Sequence, residues 1–300
     1  MKLSELLTER VNPASREIDA LGTEDVLRII NDEDQRVPLA VASQIPDIAK
    51  AVDAIVRVID SGGRLFYIGA GTSGRLGVLD AAECPPTFHV SPQLVQGIIA
   101  GGERALARAI EANEDDPEAG KRDLTIRAFT GADVLVGVAA SGRTPYVLGA
   151  IDAAKEMGAL TVGVSCTPDS DLARRVDIAI TPLAGPEVIA GSTRMKAGTA
   201  TKLVLNMIST AVMIRLGHVY GNLMVNVEPK NSKLEDRARR IISESTGVSY
   251  EDAVRLLRDS GGSVKTAIVM ARLSFDRAQA EARLAAANGR ISEALKATNG

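Results

Sequence analysis

Five short apolar runs in the middle of the chain each end in small or polar residues, and a helical pattern follows each run. Strands that are apolar on both sides must be covered on both faces, which is typical of a parallel sheet with helical crossovers. The pattern predicts a doubly wound α/β fold, in which ligands bind at the carboxyl ends of the strands. The runs are RLFYIGA (64–70), LVQGIIAGG (94–102), ADVLVGVAAS (132–141), LTVGVSC (160–166) and DIAITPL (177–183).

Two segments of different texture flank these runs. The first is polar, helix-prone and interrupted by prolines, and the last is charged, with the caps and glycine stops of short helices. We therefore expect an N-terminal helical arm (1–47), a sheet domain (48–225) and a C-terminal helical domain (232–300). The prolines that we interpret as breaks in the arm are Pro13, Pro38 and Pro46.

The overall charge argues against a polyanionic partner. The chain has 35 basic and 38 acidic residues and a net charge of −3, so no global field attracts nucleic acid or an anionic membrane. Charges punctuate the first residues, which leaves no apolar core for a signal peptide, and a cytoplasmic protein is expected. The long apolar segment 203–217 is too short and too often interrupted to span a bilayer, and we interpret it as a buried helix.

The cysteines and histidines give no sign of a metal centre. Two residues of each type are present, and their spacing matches neither a disulfide framework nor a zinc site. Chemistry without a metal is therefore the expectation.

The segment GAGTSGR (69–75) joins the first predicted strand to a helix. Its three glycines fit the G-x-G-x-x-G pattern of dinucleotide-binding proteins, which also requires an acidic residue about 20 positions further on, at the end of the next strand. The nearest candidate, Glu103, lies 29 positions beyond Gly74, so the match is poor. The motif alone is a weak indication of a nicotinamide or flavin cofactor.

A second loop of the same kind, AASGRTPY (139–146), also follows a strand and precedes a helix. Two such loops at neighbouring strand ends can present hydroxyls and backbone N–H groups to one phosphate, aided by the positive ends of two helices. The alternative is that these residues only cap their helices, as Thr144 before Pro145 would do. The candidate phosphate-binding residues are Thr72, Ser73, Ser141, Gly142, Arg143 and Thr144.

A third loop and the helix after it occupy residues 184–202. Ser192 or Thr193 can cap this helix, whereas Lys196 falls in its first turn, where a cation opposes the helix dipole. Lys196 therefore either faces an anionic ligand or a partner subunit, or is an exposed surface cation. Glu187, upstream in the loop, is a candidate acceptor for a sugar hydroxyl.

Two acidic regions are candidates for acid–base chemistry. Glu83 ends the helix predicted after the first loop, just before Pro85 and Pro86, and is expected near the strand-end crevice. The second region is the turn IEANEDD (110–116), for which a solvated surface turn is the alternative. Composition does not choose among its four acids, which are Glu111, Glu114, Asp115 and Asp116.

Long stretches of the chain resemble one enzyme family. The segments GTSGR (71–75), LDAAECPPTF (79–88), AASGRTPYV (139–147) and STRMKAGTATKLVLNM (192–207) are similar to those of the N-acetylmuramic acid 6-phosphate etherases, a branch of the sugar isomerase (SIS) superfamily. The N-terminal segments TERVNPASREID and INDEDQRVPLAV are similar to that family as well.

The resemblance implies a fold and a reaction. The fold is a five-stranded SIS domain followed by a helical domain similar to ubiquitin-associated and CUE bundles. The reaction cleaves the D-lactyl ether at C3 of N-acetylmuramic acid 6-phosphate to N-acetylglucosamine 6-phosphate and D-lactate during bacterial cell-wall recycling. It also implies that no metal or organic cofactor is used, and that the protein is a homodimer with its active site near the subunit contact.

The resemblance also assigns roles to residues. By position in the matching motifs, Glu83 corresponds to the acid that protonates the lactyl oxygen, and Glu114 to the second catalytic carboxylate, the base at C2. Because an acid must stay protonated while the base is ionised, we expect more apolar surroundings for Glu83 than for Glu114. The residues that correspond to the superfamily's phosphate cradle are Ser73, Ser141 and Thr144.

Two other functions fit the same fold. An SIS aldose–ketose isomerase also removes a C2 proton but returns it to C1, and needs no acid at C3. A non-catalytic regulator that responds to phosphosugars would resemble the glucokinase regulatory protein, which has two SIS-like halves where this chain has one.

Overall fold

A computed structural model of the chain describes residues 7–108, 114–227 and 231–296. All five predicted strands form, and they pair in parallel in the order β2-β1-β3-β4-β5. The central strand β1 pairs with β2 on one side and with β3 on the other, so the loops after β1 and β3 are neighbours. The strands are β1 (Leu65–Gly69), β2 (Val95–Ile99), β3 (Val134–Val138), β4 (Leu160–Val164) and β5 (Ile178–Ile180).

Helices cover both faces of this sheet, as the unbroken apolar strands predict. Every residue of β1 and β3 is buried, and a core cluster joins these strands to the helix before β3, through Ala119 and Leu124, and to the helix after it, through Tyr146 and Ile151. The predicted doubly wound α/β fold is therefore confirmed. The helices from α3 to α9 are α3 (Ile45–Asp60), α4 (Gly71–Phe88), α5 (Arg104–Ala107), α6 (Pro117–Ile126), α7 (Pro145–Glu156), α8 (Asp171–Arg175) and α9 (Lys196–Arg215).

The N-terminal segment is helical, as predicted, but its prolines do not break helices. Pro46 is the second residue of α3, and Pro38 lies in the first turn of α2. A proline in the first turn loses only an N–H that has no partner within the helix, so it marks the start of a helix. The segment contains three 3-10 turns (Leu7–Glu9, Pro13–Ser15, Ile18–Ala20), α1 (Thr23–Asp34) and α2 (Arg36–Ala42).

Helix α4 does not end at Glu83, as the sequence predicts, but continues through Pro85 and Pro86 to Phe88. Two consecutive hydrogen bonds of the helix are missing there, because proline has no N–H. Cys84 and Phe88, one turn apart, are both buried, and the packing of this last turn offsets the lost bonds. The prediction of a helix stop at the Pro-Pro pair is therefore wrong.

The described residues form two compact units. One consists of residues 7–83 and 92–209, and the other of residues 84–91 and 210–296. The boundaries fall inside α4, directly after Glu83, and inside α9, after Ser209. The division into three parts at residues 47 and 225 stays a prediction.

The second unit contains the predicted C-terminal helices and a short antiparallel hairpin, β6 (Val219–Tyr220) and β7 (Leu223–Met224). Each of the first four helices begins with a side-chain cap, from Asn231, Ser249, Ser263 and Asp276. Their apolar faces share one core. The helices are α10 (Ser232–Thr246), α11 (Tyr250–Asp259), α12 (Val264–Leu273), α13 (Arg277–Ala286) and α14 (Ile291–Ala294).

Helix α9 is long and apolar enough to cross a membrane when judged by length and composition alone. In the structure, 56% of its apolar window is buried inside the protein. Val204, Leu205, Ile208 and Val212 are inaccessible to solvent or nearly so. The prediction of a buried helix at this segment is confirmed.

Close contact between α6 and α7 predicts a specific packing requirement. A Cβ added at Gly120 would lie 2.1 Å from the Tyr146 carbonyl oxygen. We expect Gly120→Ala to destabilise the protein by about 1–3 kcal/mol, because backbone must move, and to lower the thermal unfolding midpoint. Gly198→Ala is the matched control, since its Cβ would meet no atom closer than 3.5 Å. Equal midpoints for the two variants would contradict the prediction.

Candidate active site

The candidate site lies where the loops after β1 and β3 meet at the carboxyl edge of the sheet. Helix α4 begins at Gly71, which has a φ of 52°. Gly74 donates the first hydrogen bond of this turn, to the Ala70 carbonyl, so the N–H groups of Gly71, Thr72 and Ser73 point out of the helix start. The side chains of Thr72 and Ser73 are half-buried.

The loop after β3 is held in one conformation by packing at Gly142. This residue has a φ of 66°, and a Cβ there would lie 2.3 Å from the Ser170 side chain. Its carbonyl accepts a hydrogen bond of 2.9 Å from the Leu172 N–H. The backbone N–H of Arg143 donates to the Ser141 hydroxyl over 3.3 Å, and the Arg143 guanidinium lies 3.9 Å from the carboxylate of Asp171.

Thr144 occupies the N-cap position of α7, and Pro145 is the first helical residue. Capping by its side chain is the alternative that the sequence leaves open. The Thr144 hydroxyl makes no capping hydrogen bond, so capping does not explain why a hydroxyl stands at this position. The start of α7, like that of α4, therefore presents a hydroxyl beside the positive end of a helix.

Glu114 lies between these two helix starts. Its backbone carbonyl accepts a 3.0 Å hydrogen bond from the N–H of Tyr146 in the first turn of α7. Its side chain is close to α4, because a Cβ on Gly71 would lie 3.3 Å from the Glu114 Oε1 atom. Glu114 is half-buried. The structure thus brings one carboxylate to the edge at which both hydroxyl-bearing loops end.

The other acids of this turn have different surroundings. The Asp116 side chain caps α6, accepting the Glu118 N–H over 2.9 Å, and lies 2.9 Å from the Arg122 guanidinium. Asp115 is exposed. Glu111 lies outside the described residues. The sequence left open that this turn is only a solvated surface turn. That alternative fits the exposed Asp115 but not the half-buried Glu114.

The start of α9 adds a third helix N-terminus to the same edge. A Cβ on Gly198 would lie 3.5 Å from the Thr72 methyl group. Glu187 caps this helix: its two carboxylate oxygens each accept a backbone N–H, from Lys196 and from Ala197, over 3.0 Å. The predicted cap by Ser192 or Thr193 is therefore wrong, because a carboxylate from further upstream occupies that place.

Lys196 is neither an exposed cation nor open to a ligand. Its side chain is 1% exposed, and its ammonium group donates to the Glu33 carboxylate at 2.5 Å and to the Pro186 carbonyl at 3.0 Å. Glu187 is 1% exposed as well. The side chains of Lys196 and Glu187 are thus engaged within the chain, which does not support their predicted direct contact with substrate.

The N-terminal segment takes part in this buried network, which the sequence does not reveal. Asn12 donates to Glu33 over 2.8 Å, and the Ser15 hydroxyl donates to the Val188 carbonyl over 2.6 Å. Burial raises the pKa of Glu33, but hydrogen bonds from Lys196 and Asn12 outweigh it and hold that pKa below its ordinary value. No local pattern could have found these partners, because they lie far from one another in the chain.

Cysteine and metal chemistry find no support at this edge. Burial raises the pKa of Cys166, at the end of β4, to about 12, so this residue stays a thiol at neutral pH. Among residues 7–108, 114–227 and 231–296, no group of three or more His, Cys, Asp and Glu side chains could hold a metal ion.

Glu83 lies far from this edge within one chain. It is twelve residues after Gly71 in a continuous helix, or about 18 Å along the axis. The expectation that it lies near the crevice is therefore wrong. Glu83 is exposed whereas Glu114 is half-buried, the reverse of the expected order. We call the hollow beside it, of about 280 Å³, the Glu83 cavity; its lining consists of Leu76, Leu79, Asp80, Glu83, Lys202, Leu205 and Asn206.

Known proteins match this chain over nearly its whole length. It is 54% identical to an N-acetylmuramic acid 6-phosphate etherase of Caldanaerobacter subterraneus, over 99% of this chain and 97% of that one. An enzyme of Vibrio parahaemolyticus with the name N-acetylmuramic acid 6-phosphate etherase 2 is also 54% identical, over 98% of each chain. The chain belongs to the N-acetylmuramic acid 6-phosphate etherase family.

Family models and a solved structure agree with the SIS fold of this etherase family. Residues 47–155 match the glucokinase regulatory protein N-terminal SIS domain, and residues 116–211 match the SIS domain. A phosphoheptose isomerase from Francisella tularensis superposes with a TM-score of 0.50 at 15% identity, covering 65% of this chain and 100% of that one. At this identity the likeness concerns the fold alone.

The buried Glu33–Lys196 pair predicts a pH-dependent loss of stability. We expect Glu33→Gln to destabilise the protein by about 3–5 kcal/mol near neutral pH, because Lys196 stays buried without its carboxylate. Since the pKa of Glu33 is lowered, its stabilisation is complete above its ordinary value of 4.5 and disappears as the pH falls through the lowered one.

Thermal unfolding midpoints from pH 8 down to pH 3 measure this effect. The difference between wild type and Glu33→Gln should shrink on acidification. Glu24→Gln is the control, because Glu24 pairs with Arg28 on the exposed face of α1 and should change stability by less than about 1 kcal/mol. A difference that does not vary with pH would contradict a charge-paired Glu33.

Proposed function

We propose that this protein is an N-acetylmuramic acid 6-phosphate etherase, which cleaves the D-lactyl ether at C3 and yields N-acetylglucosamine 6-phosphate and D-lactate. Relatives of that name match the chain from end to end. The structural observation that carries the proposal is the position of Glu114, whose carboxylate lies at the start of α4 and whose backbone lies at the start of α7. A base at this point can reach a sugar whose phosphate is bound by the two loops.

The loops are suited to the substrate's phosphate. The starts of α4 and α7 both direct partial positive charge toward this edge, and the start of α4 also presents backbone N–H groups. The hydroxyls of Thr72, Ser73, Ser141 and Thr144 can donate to the terminal oxygens of a phosphate monoester, and Arg143 adds positive charge. Gly142 allows the conformation of the second loop, since its φ of 66° and its contact with Ser170 exclude a side chain.

In the proposed reaction the open-chain aldehyde of the sugar acidifies the proton on C2. Glu114 accepts this proton, the C2–H electron pair forms the C2=C3 double bond, and the C3–O bond breaks. The departing lactyl oxygen takes a proton from a carboxylic acid, the role that the family resemblance gives to Glu83. Water then adds its oxygen to C3 and gives a proton to the Glu83 carboxylate, while Glu114 returns its proton to C2. Both groups regain their starting protonation states, and the ether and water have become a sugar hydroxyl and D-lactate.

In this proposal, the buried side chains of Glu187 and Lys196 hold the start of α9 in place beside the two loops. Glu187 fixes the first turn of α9 through two backbone hydrogen bonds, and Lys196 ties that turn to the N-terminal segment. Because α9 begins beside Thr72, both contacts hold the wall of the phosphate site. They act as positioning residues.

We also propose the setting in which the enzyme works. A phosphosugar carries charge that keeps it from crossing a membrane unaided, so the enzyme is expected in the cytoplasm, where phosphorylated sugars are held. A homodimer is proposed on the family resemblance. The reaction as written is an acid–base elimination and addition that draws only on water and carboxyl groups.

Isotope labelling tests the reaction. Incubation with N-acetylmuramic acid 6-phosphate in heavy-oxygen water should place the label on C3 of the sugar product, because water adds there, whereas the released D-lactate should keep its unlabelled ether oxygen. Mass-spectrometric fragmentation separates the C3 oxygen from the exchangeable oxygen on C1. Label in the lactate hydroxyl would indicate attack on the lactyl carbon, and the absence of lactate would refute an etherase.

Glu114→Gln should slow turnover by at least about 100-fold, because an amide cannot accept the C2 proton. Binding of the substrate phosphate should persist, since the loops are unchanged; calorimetric titration with N-acetylglucosamine 6-phosphate measures it. Asp115→Asn, at the exposed neighbouring position, is the matched control and should retain turnover. A Glu114→Gln enzyme as fast as the control would remove Glu114 from the mechanism.

A further inference from the structure

The segment between β4 and α8 (165–170), which we call the β4 loop, carries three buried hydroxyls that the proposed reaction does not use. They belong to Ser165, Thr167 and Ser170. A buried hydroxyl is costly unless it is hydrogen-bonded. The Ser165 and Ser170 hydroxyls lie 3.1 Å apart, and Ser170 also caps α8. Thr167 differs from both, because its partner lies in the loop after β3.

The β4 loop binds two carbonyl groups of the loop after β3. The Thr167 hydroxyl donates a 3.2 Å hydrogen bond to the Ala140 carbonyl, which also accepts the Cys166 N–H over 2.9 Å. The Gly142 carbonyl accepts the N–H of Leu172, in α8, over 2.9 Å. Both carbonyl oxygens are therefore held on the side of the loop that faces the end of β4.

The direction of the Ala140 carbonyl determines the direction of the next N–H group. A trans peptide is planar, and its C=O and N–H bonds point in opposite directions. In the sheet, β4 and β1 lie on opposite sides of β3. Because the Ala140 carbonyl points to the β4 loop, the Ser141 N–H points to the side on which β1 ends and α4 begins. The proposed phosphate site lies on that side.

The Ser141 hydroxyl is oriented by the same loop conformation. Its oxygen accepts the N–H of Arg143 over 3.3 Å, so its hydrogen can be donated to a phosphate oxygen. Gly142 lies between these residues with a φ of 66°, and Ser170 occupies the space that a Cβ would need. The β4 loop thus supports a conformation in which Ser141 offers a phosphate two donors, its N–H and its hydroxyl.

We propose that Thr167 is a positioning residue for phosphate binding: its hydroxyl holds the Ala140 carbonyl away from the ligand, so that the Ser141 N–H meets the phosphate. A carbonyl oxygen turned toward the ligand would repel it, because both oxygens carry negative charge. Thr167 is 1% exposed, and it acts through Ala140 and Ser141 rather than by contact with substrate. This inference rests on the proposed function, in which the two loops bind the phosphate of the sugar.

Inorganic phosphate is the probe, because it binds the loops without the acid–base chemistry. Thr167→Val removes the hydroxyl and keeps the shape of the side chain. We expect the Kd values of inorganic phosphate and of N-acetylglucosamine 6-phosphate, measured by calorimetry, to rise by a similar factor of about ten. The KM for the etherase substrate should rise with them, whereas kcat should change by less than about threefold, because Glu114 is untouched.

Two further variants separate positioning from folding. Thr167→Ser keeps the hydroxyl and should bind phosphate within about twofold of wild type. Thr161→Val is the matched control: Thr161 is buried in the same strand, near its start at the opposite edge of the sheet, and its hydroxyl donates to Asp177 over 2.7 Å. This variant should lower the thermal unfolding midpoint and leave the Kd of phosphate unchanged.

The amide signal of Ser141 tests the orientation directly in the wild-type protein. In a nitrogen-15-labelled sample, added inorganic phosphate should move the Ser141 amide proton downfield, because this N–H donates to the anion. The signal is assigned by its absence from the spectrum of Ser141→Ala. In Thr167→Val, saturating phosphate should move it less than in wild type.

Three results would overturn the proposal. One is a wild-type Kd for phosphate in Thr167→Val, and another is an equal loss of affinity in Thr161→Val, which would indicate a general effect of stability. The third is the lack of a Ser141 response to phosphate in the wild-type protein, which decides the matter even if Thr167→Val does not fold. In each case, D-lactate release by the wild-type enzyme would leave the etherase function standing. Phosphate binding as expected, without any lactate, would refute the etherase and leave the positioning role intact.

Discussion

The parallel pairing of β1 with β3 is the constraint on which the site depends. Because the two strands are adjacent and run in the same direction, their loops end at one edge of the sheet, and α4 and α7 start there together. The backbone N–H groups at the start of α4 and the positive ends of two helix dipoles then lie at the same edge. An antiparallel neighbour would have placed the second loop at the opposite edge, leaving a single hydroxyl-bearing loop.

A buried network of polar side chains fixes the start of α9, the third helix that begins at this edge. Hydrogen bonds link Asn12 to Glu33 and Glu33 to Lys196, whose backbone N–H is bound by Glu187. This network buries two carboxylates, one amide and one ammonium group. Such a network is costly to bury and is tolerated only when its members are paired. Its effect here is to join the N-terminal segment to the first turn of α9, so that the segment is structurally part of the sheet-containing unit.

The two candidate carboxylates illustrate how position along one helix decides chemistry. The Glu114 side chain lies beside the first residue of α4, whereas Glu83 lies in the same helix twelve residues after that start. A helix rises about 1.5 Å per residue and does not bend back in twelve residues. Within one chain, the two carboxylates therefore lie at different places along α4.

Periodicity and turn chemistry determined much of this protein from sequence alone. Five apolar runs set the five strands, and the Gly/Ser/Thr endings of two of them marked the hydroxyl-bearing loops at the starts of α4 and α7, because these signals act over a few residues. Tertiary structure decided the rest. The pairing of Lys196 with Glu33, the cap from Glu187, the passage of α4 through Pro85 and Pro86, and the separation of Glu83 from Glu114 all depend on residues distant in the chain or on packing that offsets a local cost. Local patterns carry no information about such partners, since burial and long-range contact arise only when the chain has folded.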